Sequence, residues 1–325
     1  MQAGIDVVSR NASANQLRPR RPILVTGSHR SGSTWVGKMI SASPSVGYIS
    51  EPLNWETHSL GVCGARIPCW FPYITKENES DYREHIRAML EFRYHISGGL
   101  KGIRSLQDIK RVRWEYKTFR LYRSRNVRPL LKDPFAVFSA VWFARTFGAN
   151  VVVMIRHPAA FASSLKRLNW PFPFSHFLRQ PALMRDYLCS FEKQIREHAE
   201  HERDIIDQAI LLWRIIYHVV AEHHRNHGDW VFLRHEDVSQ DPVRGFRDLF
   251  LKLGLRFTSH VESVVCDYTN SANPSEVAVD SSFVLRRHSK SAIQNWKKRL
   301  SASEIARIRK GTEDVANGFY LDDDW

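Results

Sequence analysis

The chain has 325 residues, of which 43% are hydrophobic, so it can bury a substantial core. Its 47 lysines and arginines against 34 aspartates and glutamates give a net charge of +13, which indicates an anionic partner: nucleic acid, a membrane surface, or an acidic small molecule or glycan. Four cysteines without a C-x-x-C spacing exclude a disulfide scaffold and a thiolate metal site, and we expect reduced thiols although Cys63 and Cys69 lie close enough to pair.

The N-terminal segment shows no pattern of regular structure and lacks the apolar core of a signal peptide. We therefore expect residues 1–20 to form a disordered lead and residues 21–325 to form a single domain. No apolar run approaches the roughly 18 residues of a membrane span, so no integral membrane segment is predicted. We expect a cytoplasmic protein; the sequence carries no signal for oligomeric state.

The first predicted unit is a strand, a turn and a helix. An apolar run at Ile23–Val25 is followed by the small-residue turn Gly27–Thr34 and then by a helical pattern through Ile40. In this arrangement loop amides and a helix N-terminus converge, which is the geometry that holds phosphate. The sequence therefore predicts an anion site at the end of the first strand.

The turn departs from the Walker P-loop, G-x-x-x-x-G-K-[ST], at one decisive position. Gly27 and Gly32 have the required spacing, but Ser33 stands where the lysine should be, and Arg30 lies inside the loop. This pattern predicts a phosphate cradle without nucleotide-triphosphatase chemistry.

The middle of the chain is irregular and then strongly basic. Residues 56–100 are rich in aromatic residues and breakers, with a helix predicted near Asp81–Tyr94. Ten basic and two acidic residues lie between Lys101 and Arg128. A solvated helical face and an anion-binding stripe both explain this basic segment.

A second strand–turn–helix unit follows. The continuous apolar run Val151–Ile155 predicts a buried parallel strand, which ends in Arg156 and is followed by a helix from Ala159. Ligands of open α/β sheets bind at such carboxyl ends. We therefore predict an α/β fold, P-loop-like and three-layered, with a central parallel sheet flanked by helices.

The C-terminal half is mainly helical. One long helical stretch is predicted from Tyr187 to His224, a short strand at Val231–Leu233, and a helix after Asp241-Pro242. Ser301, with a glutamate three residues later, predicts a capping box at the start of the last helix.

Several of these motifs together carry a resemblance. Gly27–Trp35 resembles the 5′-phosphosulfate loop of sulfotransferases that use 3′-phosphoadenosine-5′-phosphosulfate (PAPS), and Arg156–Ser164 resembles their 3′-phosphate motif. The basic residue Arg30 followed by Glu51-Pro52 is similar to the carbohydrate 6-O- and tyrosylprotein branches, and Lys132–Phe135 is similar to the tyrosylprotein branch. The resemblance extends over about residues 22–310 and lies in the order and spacing of the motifs.

The resemblance implies PAPS as co-substrate, without a metal, because no triphosphate has to be held. Two anion sites are then needed in one crevice, and the two strand–turn–helix units supply them. Arg156 can bind the 3′-phosphate as a planar fork, and a basic late loop implied by related enzymes would close on the nucleotide. The predicted donor-binding residues are Arg30, Ser31, Gly32, Ser33, Thr34, Trp35, Arg156, Ser164, Arg287 and Lys290.

The predicted catalytic residues are Arg30, Lys132 and Glu51. Charge grows on the bridging oxygen as the 5′-phosphate leaves, and a fixed cation stabilises it; Arg30 is the first candidate and Lys132 the second. Arginine cannot act as an acid at neutral pH, so its role should be electrostatic. Glu51 follows a predicted second strand and matches the family's catalytic glutamate by position, which makes it the candidate base for the acceptor hydroxyl.

The acceptor is expected to be a carbohydrate hydroxyl, and the basic segment would suit a glycan that carries carboxylate or sulfate, although a neutral glycan is compatible. Tyrosylprotein sulfation is the alternative within the family. A P-loop nucleotide kinase is the alternative from another class, and Ser33 in place of the lysine argues against it. A nucleic-acid partner is not expected, because no aromatic readout motif accompanies the basic segment.

Overall fold

The computed structural model describes residues 21–276 and 284–325, so the predicted N-terminal lead lies outside the described residues. Five parallel strands form one sheet in the order β2-β3-β1-β4-β5. This arrangement, with helices on both faces, confirms the predicted α/β fold. The strands are β1 (Ile23–Gly27), β2 (Val46–Ser50), β3 (Arg128–Lys132), β4 (Asn150–Ile155) and β5 (Val231–Arg234).

Helices make up most of the rest of the described chain. The α-helices are α1 (Ser33–Ile40), α2 (Arg83–Leu90), α3 (Ile96–Lys101), α4 (Leu106–Ser124), α5 (Ala140–Phe147), α6 (Pro158–Leu168), α7 (Ser175–Leu178), α8 (Pro181–Leu183), α9 (Glu192–Glu200), α10 (Ile205–Asn226), α11 (His235–Gln240), α12 (Pro242–Lys252), α13 (Ser259–Thr269), α14 (Ser289–Ala292), α15 (Asn295–Arg299) and α16 (Ala302–Ala316). Short 3₁₀ or π segments cover Glu79–Asp81, Pro134–Ala136, Met184–Leu188, Cys189–Phe191 and Asp322–Asp324. Among the described helices, none is both long and apolar enough to cross a bilayer.

Both faces of the sheet are buried, which explains the continuous apolar strands. Ile23 and Val25 of β1 pack with α1, α12 and α13 on one face. Leu24, between them, packs on the other face with α5, α6, α10 and α16. Alternate residues of one strand therefore belong to two separate cores.

The site position follows from this topology. The helix after β1 is α1, and the helix after the neighbouring strand β4 is α6; the two lie on opposite faces of the sheet. A crevice opens at the carboxyl ends of two such strands, where the chain connections diverge. At its base Gly27 has φ 139°, and a Cβ there would lie 2.5 Å from the carbonyl oxygen of Met154, so only glycine fits.

The predicted single helix from Tyr187 to His224 is wrong. The structure has two helices, α9 and α10, separated at residues 201–204. The Asp204 carboxylate accepts a hydrogen bond from the amide of Ile206 at 2.9 Å and caps α10. By contrast, the predicted capping box of the last helix is present at Ser301.

Candidate active site

A cavity of about 380 Å³ opens at the carboxyl ends of β1, β3, β4 and β5. Most of the sequence-predicted residues line it, although they come from distant segments. Among the described lining residues there are six basic side chains and a single carboxylate, Glu51. The basic residues are Arg30, Lys132, Arg156, Arg167, Arg287 and Arg299.

The predicted 5′-phosphosulfate loop runs from β1 into α1. Gly32 has φ 95° and precedes the first helical residue, Ser33. The first amides of a helix have no partner inside it, so those of Ser33, Thr34 and Trp35 are available to an anion. Ser31 instead donates both its amide and its hydroxyl to the carbonyl of Ser28, at 3.3 and 2.5 Å. Ser31 therefore shapes the turn.

Arg30 connects the two predicted anion sites. Its Nε donates to Ser164 Oγ on α6 at 3.0 Å, and its carbonyl oxygen accepts a hydrogen bond from Nη1 of Arg156. Burial, followed by the charges of Arg156 and Arg287, lowers the pKa of Arg30 to about 10. A site that depresses the pKa of an arginine this far favours a bound anion.

Arg156 is fixed in position by its backbone. Its amide donates to the hydroxyl of Tyr217 at 3.1 Å, and its carbonyl accepts from the indole of Trp213 at 2.9 Å. The guanidinium is buried, which lowers its pKa, and its Nε has no partner among the described residues. A buried donor without a partner is costly, and an anionic ligand would satisfy it.

Glu51 and Lys132 form an ion pair at the ends of β2 and β3. Lys132 is 2% exposed, and the amide of Glu51 donates to its carbonyl oxygen at 2.8 Å. The second carboxylate oxygen of Glu51 accepts from Asn54 Nδ2 at 2.9 Å. A buried lysine without a partner would be expensive, so this pair keeps both charges in the cavity.

Asp133, next to Lys132, has a structural role. Its carboxylate accepts from the amides of Leu53, at 2.6 Å, and Phe135, at 2.9 Å. Burial and the nearby charge of Glu51 raise its pKa to about 7. Asp133 therefore ties the segment after β2 to the end of β3.

Backbone conformation marks two of the three predicted catalytic residues. Arg30 has φ 62° and Glu51 has φ 47°, both in the left-handed region that non-glycine residues rarely adopt. Such residues cluster at functional sites, where the surroundings hold them in place.

The two late-loop predictions fall in different places. Arg287 lines the cavity, and burial followed by the charge of Arg156 lowers its pKa. Lys290 is exposed on α14 and is not among the described lining residues. The structure thus brings Arg287, but not Lys290, to the cavity.

Four histidine and arginine residues that line the cavity were not predicted from the sequence. His235, after β5, lies so close to Gly32 that a Cβ there would be 2.5 Å from its ring; its position after a strand was the one signal that could have revealed it. His29 packs against aromatic rings including Phe161, at 5.3 Å between centroids. Arg167 and Arg299, which both pair with Glu276, had no sequence signal.

Metal-binding side chains do not cluster in the described structure. Within residues 21–276 and 284–325, no three His, Cys, Asp or Glu side chains could hold a metal ion together. The expectation of a reaction without metal stays a prediction.

The fold and the site define a P-loop-like α/β protein in which two strand ends carry basic side chains into one crevice. The family model "Sulfotransferase family" matches residues 22–259, and the chain belongs to this family. The predicted enzyme class, a PAPS-dependent sulfotransferase, is therefore confirmed. No curated protein matches the chain.

Solved structures with similar folds are also sulfotransferases. The sulfotransferase domain of the Synechococcus PCC 7002 olefin synthase is 16% identical, with a TM-score of 0.47, over 94% of this chain and 96% of that chain. Mouse SULT7A1, complexed with PAP, is 13% identical, with a TM-score of 0.43, over 93% and 85%. STF9 from Mycobacterium avium is 11% identical, with a TM-score of 0.45, over 94% and 78%. Because these TM-scores lie below 0.5, the family assignment rests on the family model.

Proposed function

We propose that the chain transfers the sulfuryl group of PAPS to a carbohydrate hydroxyl, with Glu51 as base and Arg30 and Lys132 as the stabilising cations. The observation that carries the proposal is the position of Arg30. Its main chain bonds to Arg156, its side chain bonds to Ser164, and it lines the same cavity as the Glu51–Lys132 pair.

The donor would occupy both anion sites at once. The 5′-phosphate would accept from the amides at the start of α1, and the 3′-phosphate from Arg156 and Ser164. Both phosphates carry charge, so these are charge-assisted hydrogen bonds, which are about twice as strong as neutral ones. Arg287 would add a further cation on the nucleotide side.

The reaction would be an in-line displacement at sulfur. The acceptor oxygen forms the new S–O bond, its proton passes to Glu51, and the electron pair of the breaking S–O bond stays on the 5′-phosphate. Arg30 lies beside that phosphate in the proposed pose. Removal of one such fixed donor from an active site costs about 2.7–4 kcal/mol of transition-state stabilisation.

The acceptor side of the cavity supports a carbohydrate. Trp170, which is 41% exposed, lines the cavity with its indole ring, and the Glu51 carboxylate, held by Asn54, and the Ser50 side chain add polar groups to the lining. An aromatic face with a few polar groups suits a sugar ring, whose C–H groups and hydroxyls lie on different sides. The Lys132–Phe135 motif favours no particular acceptor, because the Asp133 carboxylate is engaged by backbone amides.

Radiolabelled PAPS offered with oligosaccharides and with tyrosine peptides tests the proposal. Label should appear on oligosaccharides, and Glu51→Gln should lower kcat by about 10²- to 10⁴-fold without weakening the affinity for PAP, since it removes no cation from the cavity. Glu56→Gln changes an exposed neighbouring carboxylate and is the matched control. Label on peptides alone would refute a carbohydrate acceptor. Full activity of Glu51→Gln would refute the role of Glu51 as the base.

A further inference from the structure

A second surface, remote in sequence from the catalytic motifs, combines positive charge with exposed apolar side chains. Six of the large hydrophobic residues that are exposed in the described structure lie between residues 96 and 121. They are Ile96 and Leu100 on α3 and Leu106, Ile109, Trp114 and Leu121 on α4. The same region holds the basic segment between Lys101 and Arg128, which the donor site does not use.

The two kinds of side chain share one face of α4. At about 100° per residue, eight residues fall within an arc of about 140° on the helix surface. We call this set the α4 face: Leu106, Ile109, Lys110, Arg113, Trp114, Lys117, Arg120 and Leu121. All eight are exposed; Leu106 is 79% and Trp114 67% exposed.

The opposite side of α4 anchors the helix to the protein. Phe119 is buried, and the buried Glu115 accepts hydrogen bonds from Ser59 and Tyr94, each at 2.9 Å. The orientation of the helix is thereby fixed, so the α4 face is held outward.

Charge on the α4 face is not neutralised locally. The ion pairs of α4 involve Arg111, which contacts Asp108 and Glu115 away from the centre of this face. Within the described residues, Lys110, Arg113 and Lys117 have no carboxylate at ion-pair distance. A helix face that contacts only water does not need large apolar side chains between these cations. A site that binds only a polyanion does not need them either.

We propose that the α4 face binds the surface of an anionic lipid bilayer. Basic side chains are drawn to anionic headgroups, while tryptophan and leucine side chains enter the boundary between headgroups and acyl chains. Trp114 suits that boundary because its ring is apolar and its N–H is polar. The surface would hold the enzyme at a membrane.

Flotation of the full chain with vesicles tests this proposal. Vesicles of 70% phosphatidylcholine and 30% phosphatidylserine should carry the protein, and pure phosphatidylcholine vesicles should not. Lys110→Glu/Lys117→Glu should weaken binding by at least about 25-fold, since each basic residue near the surface contributes about fivefold. Trp114→Ser/Leu121→Ser should weaken it by at least about tenfold, through lost apolar burial.

The matched control is Leu251→Ser/Lys252→Glu, which removes one exposed leucine and one exposed lysine from α12. It should bind phosphatidylserine vesicles like the wild type, and circular dichroism should show that every variant is folded. Absence of flotation, equal binding to neutral vesicles, or wild-type binding of Trp114→Ser/Leu121→Ser would overturn the proposal. If Trp114→Ser/Leu121→Ser binds vesicles like the wild type and is also retained on heparin, the partner of the α4 face would be an acidic polymer instead.

Discussion

Arg156 allows the sharpest test of the donor site. We consider Arg156→Met, which keeps much of the side-chain volume but removes the charge and the donors. In the unliganded protein the substitution loses the hydrogen bond to Arg30 and the attraction between the guanidinium and Glu236, but it also removes the cost of burying a cation, so the two effects oppose each other. We therefore expect the unliganded melting temperature to change by less than about 2 °C, given about 2 °C per kcal/mol for a chain of this size.

The liganded state should respond very differently. PAP at 100 times its Kd stabilises the wild type by about 2.7 kcal/mol, which raises the melting temperature by about 5 °C. Loss of a charge-assisted contact at Arg156 costs about 3 kcal/mol of binding, or roughly 100-fold in Kd. The same PAP concentration then equals Kd, and the stabilisation falls to about 0.4 kcal/mol, less than about 1 °C.

Thermal unfolding with and without PAP measures both quantities, and titration calorimetry measures Kd directly. Arg214→Met is the matched control, because Arg214 pairs with Asp314 between α10 and α16 and does not line the cavity. A shift of about 5 °C retained by Arg156→Met would refute the assignment of the 3′-phosphate to this residue. Loss of the shift in Arg214→Met as well would point to a general effect of removing an arginine.

Three further predictions concern the loop, the ion pair and a buried imidazole. Gly32→Ala should abolish PAP binding and lower stability by about 1–3 kcal/mol, since a Cβ at φ 95° would meet His235; unchanged calorimetry would contradict this. Lys132→Met should lower kcat more than it raises KM for PAPS, because the partner of Glu51 is lost; a change in KM alone would exclude this role. Burial lowers the pKa of His157 to about 3. At His157 the unfolded chain therefore binds a proton between pH 6.5 and 3 that the folded chain does not, so this residue should contribute a loss of stability of about 1.4 kcal/mol per pH unit as the pH drops. The other buried imidazoles, such as His29 and His235, add their own contributions in the same direction. Urea unfolding should show that the stability of His157→Asn depends less steeply on pH than that of the wild type. Equal slopes for the two proteins would argue against this role of His157.

The strand ends could be predicted because they depend on local patterns. The apolar runs at Ile23–Val25 and Val151–Ile155, each followed by small or basic residues, specify two buried strands and the edge where ligands bind. The resemblance to sulfotransferase motifs then predicted Glu51 and Lys132 as catalytic residues. The sheet brings these two residues together from strands that are far apart in sequence.

Tertiary contacts explain what the sequence did not predict. Arg167 and Arg299 reach the cavity because α6 and α15 pack together, which no periodicity shows. The break before α10 was hidden because its apolar residues continue the helical pattern of α9, and only the cap at Asp204 reveals it. Lys290 could not be separated from Arg287 by sequence, since both are basic residues of one irregular segment.

The hydrogen bond from Arg156 to the carbonyl of Arg30 has a consequence for ligand choice. This hydrogen bond joins the two predicted anion sites through the main chain. It therefore fixes the distance between them before a ligand binds. A nucleotide without a 3′-phosphate can occupy only one end and leaves the buried Nε of Arg156 unsatisfied. In the proposed site ATP, which has no 3′-phosphate, should therefore bind more weakly than PAP.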